Sequence, residues 1–258
     1  MDIIENLKTF GYAIEENVIS NDECENLGNV LDELKNYHEQ KNNLYKSESQ
    51  TVIFNPHLEK PDLFLDKISL PKVMDNLKKI FKEDFILSNF NGSLSGKNGG
   101  DRIHIDSRIP ITNFTNTFQV AVLLCIDDFT PQNGGTIVWP FSHKTDSDPR
   151  YLRDKMKIPG AVHVNAPKGS VIYTLGQTWH DVGPNLDQSR RWGIIAYYSS
   201  WWIKPTFDFT KCGADIYQKL TPEQKILLGF TSRPPSHGEQ RHHTIVKVEE
   251  LPEKYDKL

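Results

Sequence analysis

Apolar positions change their period once along the chain. Within residues 1–84 they recur at helical spacing. Leu27, Val30, Leu31 and Leu34 follow the capping-box sequence Ser20-Asn-Asp-Glu23, and Val73, Leu77, Ile80 and Phe81 follow Pro71, which suits a first helical turn. From Phe85 the runs become short or alternating. They predict strands at Phe85–Phe90, Phe118–Ile126, Thr136–Trp139, Ala161–Val164, Ser170–Thr174 and Trp192–Tyr198. Turn-forming clusters separate them, among them Asn91-Gly, Gly99-Gly, Pro131-Gln-Asn-Gly-Gly135 and Ala166-Pro-Lys-Gly169. Helix returns at Thr221-Pro-Glu-Gln224, and the tail from Ser232 is polar and is expected to lie over the surface. Many short strands with no helices alternating between them predict an antiparallel sandwich or barrel, not a parallel sheet. The expected organisation is one domain over residues 1–258, with a helical layer at 1–84, the strand core at 85–205 and a C-terminal helix and tail at 206–258.

Composition narrows the functional classes. Of the chain, 37% is hydrophobic and 25% charged, as in an ordinary globular protein, and the formal net charge of -4 speaks against a general affinity for nucleic acid. No apolar run approaches the ~20 residues needed to span a bilayer. The start, Met1-Asp-Ile-Ile-Glu-Asn-Leu-Lys, has no apolar core of a secretory signal. Cys24, Cys125 and Cys212 are too few and too scattered for a disulfide framework or a cysteine zinc site, and Cys125 reads as a small buried hydrophobe. A cytoplasmic protein is expected, in which the sequons at Asn91 and Asn113 carry no sugar. The expected partner is a small-molecule substrate, with no nucleic acid and no membrane, on a monomer or homodimer.

Candidate chemistry sits in Arg102-Ile-His-Ile-Asp106 and, much later, in Trp179-His180-Asp181. Alternation on a strand puts His104 and Asp106 on one face and turns Ile103 and Ile105 into a core. With His180 at the start of another strand, two histidines and one carboxylate can hold one face of a ferrous ion and leave the other positions open. Asp181 would point away from that face and reads as a supporting residue. His163 and His143 read as satisfied strand and loop residues, and His242-His243 as solvated tail. An arginine entering the strand Trp192–Tyr198 offers a two-pronged donor for a dicarboxylic cosubstrate. Arg190 and Arg191 compete for this role, since neighbouring strand positions face opposite ways.

Taken together, these residues resemble the phytanoyl-CoA dioxygenase family of Fe(II)/2-oxoglutarate-dependent oxygenases. The resemblance rests on His104-Ile-Asp106, the acidic strand end Ile126-Asp-Asp128, and Asn133-Gly-Gly135 leading to Trp139-Pro-Phe-Ser-His-Lys144. It continues through His180 and Gly-Pro-Asn185 to Arg191, and into Tyr197-Tyr-Ser-Ser-Trp-Trp-Ile-Lys-Pro205. It implies a mainly β fold with flanking helices, a double-stranded β-helix of the jelly-roll, cupin-like kind with an N-terminal helical layer. It implies that His104, Asp106 and His180 are the catalytic and metal residues. It also favours Arg191 over Arg190 as the 2-oxoglutarate clamp and carries Asn91 over as a polar contact to that cosubstrate. Cofactors follow: Fe(II), 2-oxoglutarate and O2, with ascorbate as reductant in vitro. Two departures stand out. Phe141 replaces a glycine before Ser-His, and Val182 stands where relatives use a serine toward 2-oxoglutarate, so that Gln119 or Thr136 is expected to supply the missing polar contact.

The implied activity is hydroxylation of an unactivated C–H bond of a small metabolite or biosynthetic intermediate, with release of succinate and CO2. The carboxylate of Asp106 argues against halogenation. Desaturation, epoxidation or ring closure at the same site, a non-catalytic jelly-roll binding protein, and a zinc hydrolase on the same three ligands are the alternatives. The hydrolase has no use for Arg191. Segments Ser107–Thr117 and Thr145–Pro159 are candidate lids. Arg108, Trp139 and Trp179 are candidate substrate contacts, and Lys144 is an alternative to Arg108 for an anionic substrate.

Overall fold

The computed structural model describes residues 2–99, 102–107, 109, 117–151, 158–235, 237–240 and 245–258. Its elements in chain order are α1 (Ile3–Phe10), β1 (Tyr12–Glu15), α2 (Asn21–Gln40), β2 (Tyr45–Lys46), β3 (Gln50–Phe54), α3 (Pro56–Glu59), α4 (Pro61–Phe64), α5 (Pro71–Phe81), β4 (Phe85–Ser95), β5 (Gln119–Cys125), β6 (Thr136–Val138), β7 (Val162–His163), β8 (Val171–Leu175), β9 (His180–Val182), β10 (Trp192–Ser200), α6 (Ala214–Lys219) and α7 (Pro222–Leu227). Each of the six predicted strands is present within a few residues of its expected ends. The two helices expected before residue 85 are α2 and α5. The helical reading of this region missed β1, β2 and β3, which are short and take their order from pairing to β8 and β4.

The larger sheet runs β1-β8-β5-β10-β4-β3-β2 and the smaller β7-β6-β9, to which His104 adds a single antiparallel bridge on His180. Followed along the chain from β4, segments alternate between the two sheets except at β6 and β7, which pair directly in the smaller one. The central four strands of the larger sheet, β8-β5-β10-β4, and the four segments of the smaller then wind as a jelly roll, a double-stranded β-helix. The segment carrying His104 was expected to be a strand. Only His104 makes ladder contacts, because the partner strand β9 has three residues and supplies no longer register.

Packing divides the chain into two units. One comprises Met1–Phe54 and Asn91–Ala196. Its interior is filled from both sheets by Cys125, Phe129, Val138, Val164, Ala166 and Ile172, with a second cluster of Ile103, Ile105, Ile137, Trp139 and Trp179. Helix α1 ends at Gly11, which has φ +86°, and a Cβ there would lie 2.5 Å from both Thr178 Oγ1 and His143 Nδ1. Only glycine allows this turn to press against the residues leading into β9, where the Thr178 hydroxyl donates to the Gly11 carbonyl at 2.8 Å. Ser20 caps α2 by accepting from the Glu23 amide, and the predicted stripe Leu27, Val30, Leu31 and Leu34 is buried, joined by Cys24.

The other unit comprises Asn55–Phe90 and Tyr197–Leu258. Helix α7 carries the predicted capping box, with Thr221 and Gln224 each bonded to the other's backbone, and Gln224 also donates to the Leu65 carbonyl at 2.8 Å. Tyr198 donates its hydroxyl to the Ile68 carbonyl at 2.9 Å. His57 is fully buried, edge-on to Phe90 and Phe209 with centroids 5.1 and 5.0 Å away, and neither ring nitrogen has a hydrogen-bond partner among the described residues. Burial pushes its pKa down to about 3 from 6.5.

Because that pKa is depressed, the unfolded chain binds a proton that the native chain refuses. Stability contributed by neutral His57 is therefore complete above the unfolded pKa of 6.5 and is lost as pH falls below it. From pH 6.5 to pH 5 the loss is ~2 kcal/mol at 1.36 kcal/mol per unit. Urea unfolding at pH 7 and pH 5 should show this loss in the wild type and not in His57→Phe; an equal loss in both would rule His57 out as the cause.

Candidate active site

The reciprocal backbone bonds of the bridge, His104 N–H to His180 C=O and His180 N–H to His104 C=O, are both 3.0 Å. Residues so paired carry their side chains on the same face, and the two imidazole centroids lie 4.3 Å apart. Asp106, two residues on, returns to that face. Its Oδ1 is 3.7 Å from His104 Nε2 and its Oδ2 is 3.4 Å from His180 Nε2. Ile103 and Ile105 point into the core as expected, 1% and 4% exposed. One ligand atom from each of His104, Asp106 and His180 lies within 4.8 Å of the others, so a single metal ion can be held by all three.

The ring orientations are fixed from behind. His104 Nδ1 donates to the Arg102 carbonyl at 2.8 Å and His180 Nδ1 donates to the Thr178 carbonyl at 2.9 Å. Each ring therefore presents an unprotonated Nε2 to the cluster when neutral, the tautomer a metal ligand needs. Burial and then the neighbouring His180 hold the His104 pKa down at about 4. For His180 burial also opposes charge, but the carboxylate of Asp106 outweighs it and raises the pKa to about 9. Asp181 faces the other way, as its place in the sequence implied. It is buried, its Oδ2 accepts from the Arg102 amide at 2.7 Å and its Oδ1 from the Val182 amide at 2.7 Å, so it ties the start of the His104 segment to β9.

Of the two arginines, Arg191 is the buried one. It precedes β10, is 3% exposed, and its guanidinium carbon lies 4.5 Å from the centroid of the Phe129 ring. Phe129 belongs to the core cluster that includes Val138, and Val138 is the cross-strand partner of His180. Nε and Nη2 of Arg191 are buried and have no hydrogen-bond partner among the described residues. Burial lowers its pKa to about 10, still high enough for a cation at neutral pH. Arg190 instead turns outward to Asp127, at 2.9 Å, and Asp32, at 3.3 Å.

The other expected residues are placed as follows. Thr136 stands directly across the ladder from Val182, so a hydroxyl occupies the strand next to the missing serine. Asn91, half-buried in β4, has a side-chain oxygen with no partner among the described residues. Gln119 begins β5, and its carbonyl accepts from Gly176, whose own carbonyl takes the amide of Ser107 just after Asp106. Trp139 and Trp179 are core residues whose indole N–H groups go to the carbonyls of Ile158 and Ser147 at 3.2 and 3.1 Å. Phe141 has a left-handed backbone, φ +69°, a conformation that favours glycine, and packs edge-on against Phe10 at 5.3 Å. Arg108, most of the segment Ser107–Thr117, residues 152–157 and His242-His243 lie outside the described residues. Sequence reasoning missed Phe129 beneath the guanidinium, which carries no local pattern that marks it, and assigned no task to Ser142, whose hydroxyl accepts from the Trp179 amide at 2.8 Å.

A jelly roll that gathers two histidines and one carboxylate, with a buried guanidinium in the same interior, defines a protein of the facial-triad, non-haem metal class. Residues 7–193 match the phytanoyl-CoA dioxygenase (PhyH) family, and the chain belongs to that family. It is 24% identical over 186 residues to "Dioxygenase af480" of Aspergillus fumigatus, a match covering 70% of this chain and 58% of that protein. The chain thus spans less than two thirds of the length of the curated relatives it matches, 58% and 65%. Among solved structures it resembles HygX from Streptomyces hygroscopicus with nickel and 2-oxoglutarate bound, with a TM-score of 0.64 at 14% identity over 79% of this chain and 88% of that one. It also resembles the non-heme alpha ketoglutarate dependent carbocyclase SnoK from nogalamycin biosynthesis, with a TM-score of 0.63 at 15% identity over 77% of this chain and 83% of that one. Both likenesses are of fold.

Asp181 gives a test of the scaffold. Asp181→Ala removes charge-assisted bonds to two backbone amides, each worth ~1.5–3 kcal/mol. Denaturant unfolding should show a loss of at least ~2 kcal/mol; a loss under ~0.5 kcal/mol would mean that the carboxylate does not hold this junction.

Proposed function

We propose that this chain is an Fe(II)- and 2-oxoglutarate-dependent dioxygenase acting on a small molecule. His104, Asp106 and His180 hold the iron, and Arg191 takes the distal carboxylate of 2-oxoglutarate. The observation that carries this reading is the buried Arg191 guanidinium, two of whose nitrogens have no hydrogen-bond partner among the described residues. A desolvated cation is costly unless an anion meets it, and a fixed fork of donors fits a carboxylate. The donor set of the triad fits a divalent iron, and the backbone carbonyls that hold both Nδ1 atoms leave both Nε2 atoms for it. Bound there, Fe(II) supplies the chemistry of this class, oxidation of an unactivated C–H bond coupled to conversion of 2-oxoglutarate and O2 into succinate and CO2.

The protein's own contribution is placement. Thr136, beside Val182, offers 2-oxoglutarate the hydroxyl that Val182 lacks, and Asn91 and Gln119 are further polar groups for the cosubstrate. Trp139 and Trp179, whose N–H groups are already engaged, shape an apolar wall and leave polar recognition of the substrate to other groups. The small-molecule reading is supported by the likeness to HygX, which is also solved with hygromycin B bound. Hydroxylation is the main reading, on the open positions that two histidines and one carboxylate leave. The likeness to a carbocyclase favours a second one, oxidation with ring closure at the same site.

Purified protein with Fe(II), ascorbate and O2 should convert 2-oxoglutarate to succinate. His104→Ala should abolish this, by on the order of 100-fold or more, and Arg191→Ala should raise the KM for 2-oxoglutarate on the order of 100-fold. Mass analysis of a turned-over substrate separates the two readings, one oxygen gained against two hydrogens lost. Absence of both succinate formation and 2-oxoglutarate binding by the iron-loaded wild type would refute the assignment.

A further inference from the structure

Arg191 lies just before the first residue of β10, with its carbonyl accepting from the Ser95 amide at 3.1 Å. The residues on either side of it are held by two carboxylates, and each carboxylate holds both. Asp127 accepts from Arg190 Nη2 at 2.9 Å through Oδ1 and from the Trp192 amide at 2.8 Å through Oδ2. Asp32, on α2, accepts from Arg190 Nη1 at 3.3 Å through Oδ2 and from the Trp192 indole at 3.0 Å through Oδ1. Asn29 adds a contact to Arg190 Nη1 at 3.3 Å, Glu25 lies 3.6 Å from Nη2, and a Cβ on Gly28 would press on the guanidinium at 3.1 Å. In extended chain, alternate side chains share a face and the one between them takes the other. Pinning residues 190 and 192 toward α2 therefore drives the side chain of residue 191 into the barrel, onto Phe129.

We propose that Asp32 and Asp127 are positioning residues for the cosubstrate site, fixing the direction of the Arg191 guanidinium from outside the barrel. The proposal rests on the assignment of Arg191 to the distal carboxylate of 2-oxoglutarate. It gives a function to the acidic strand end Ile126-Asp-Asp128, whose other member, Asp128, accepts from the amide of Lys168, forty residues on, at 2.8 Å. It also makes α2 part of the site's construction although no residue of α2 enters it. Asp32 and Asp127 touch neither metal nor cosubstrate. What they govern is selectivity for a second carboxylate, while metal binding is left alone.

The test is calorimetric binding to the Ni(II)-loaded protein of 2-oxoglutarate and of 2-oxobutyrate, which has the same keto acid end and no distal carboxylate. The variants are Asp32→Asn, Asp127→Asn and the pair together. Asp32→Asn changes a partly exposed helix residue and so serves where Asp127→Asn lowers the fold's stability. Each variant should weaken 2-oxoglutarate binding by about tenfold or more, the usual size of an orienting contact, and leave 2-oxobutyrate and Ni(II) affinity unchanged. The preference for 2-oxoglutarate then collapses toward one. A preference kept at the wild-type value in both Asp32→Asn and Asp127→Asn would overturn the proposal and leave the assignment of Arg191 intact. Equal weakening of both acids would also overturn it, since that is loss of structure. A wild type with no preference for the dicarboxylate would overturn the assignment of Arg191 itself, and the proposal with it.

Discussion

One antiparallel pair, His104 with His180, is the contact on which the site depends. Its two backbone bonds close the smaller sheet across a segment that forms no other ladder bridge among the described residues, and bring together residues that the sequence keeps far apart. The same pairing fixes both imidazoles on one face, and Asp106 joins them because two residues of extended chain return to that face. Everything around the pair serves to keep it in register. Asp181 bonds the amides of Arg102 and Val182 on either side, Trp139 N–H donates to the Trp179 carbonyl at 2.9 Å, and Thr178 fastens the N-terminal turn beneath it.

The second constraint is electrostatic. A guanidinium at 3% exposure, lying over an aromatic ring with unused donors, is not a feature that stabilises a folded chain by itself. Its retention is intelligible when an anion completes it, and the outward clamp on Arg190 and Trp192 explains how the chain holds the cation in place beforehand. Neighbouring arginines thus have opposite tasks. Arg190 meets three carboxylates at the surface, and Arg191 keeps two buried nitrogens without a hydrogen-bond partner among the described residues.

Much of the architecture was legible from periodicity. The strands of the core are apolar runs bounded by turn residues, so their identity survives whatever they pair with. The strands β1 and β2 were not legible, because a four- or two-residue segment such as Tyr12–Glu15 or Tyr45–Lys46 carries too little pattern, and its conformation is induced by a neighbour's exposed edge; β3, Gln50–Phe54, is five residues long and was missed all the same. The segment around His104 shows the reverse error. Its alternation reads as a strand, yet one bridge is all it forms, since alternation reports which face is buried and not how far a ladder extends.

The sequence by itself determined the shared face of His104 and Asp106, the turn of Asp181 away from it and the place of an arginine at the head of β10. Each of these follows from local backbone geometry, which a few consecutive residues fix. Which arginine enters the barrel, what hydroxyl stands beside Val182, and which carbonyls set the histidine tautomers were decided by tertiary structure alone. They depend on Asp32 reaching across from α2, on Thr136 lying opposite Val182 in β6, and on the closing of one sheet upon the other. Contacts between residues distant in sequence have no local signature to read.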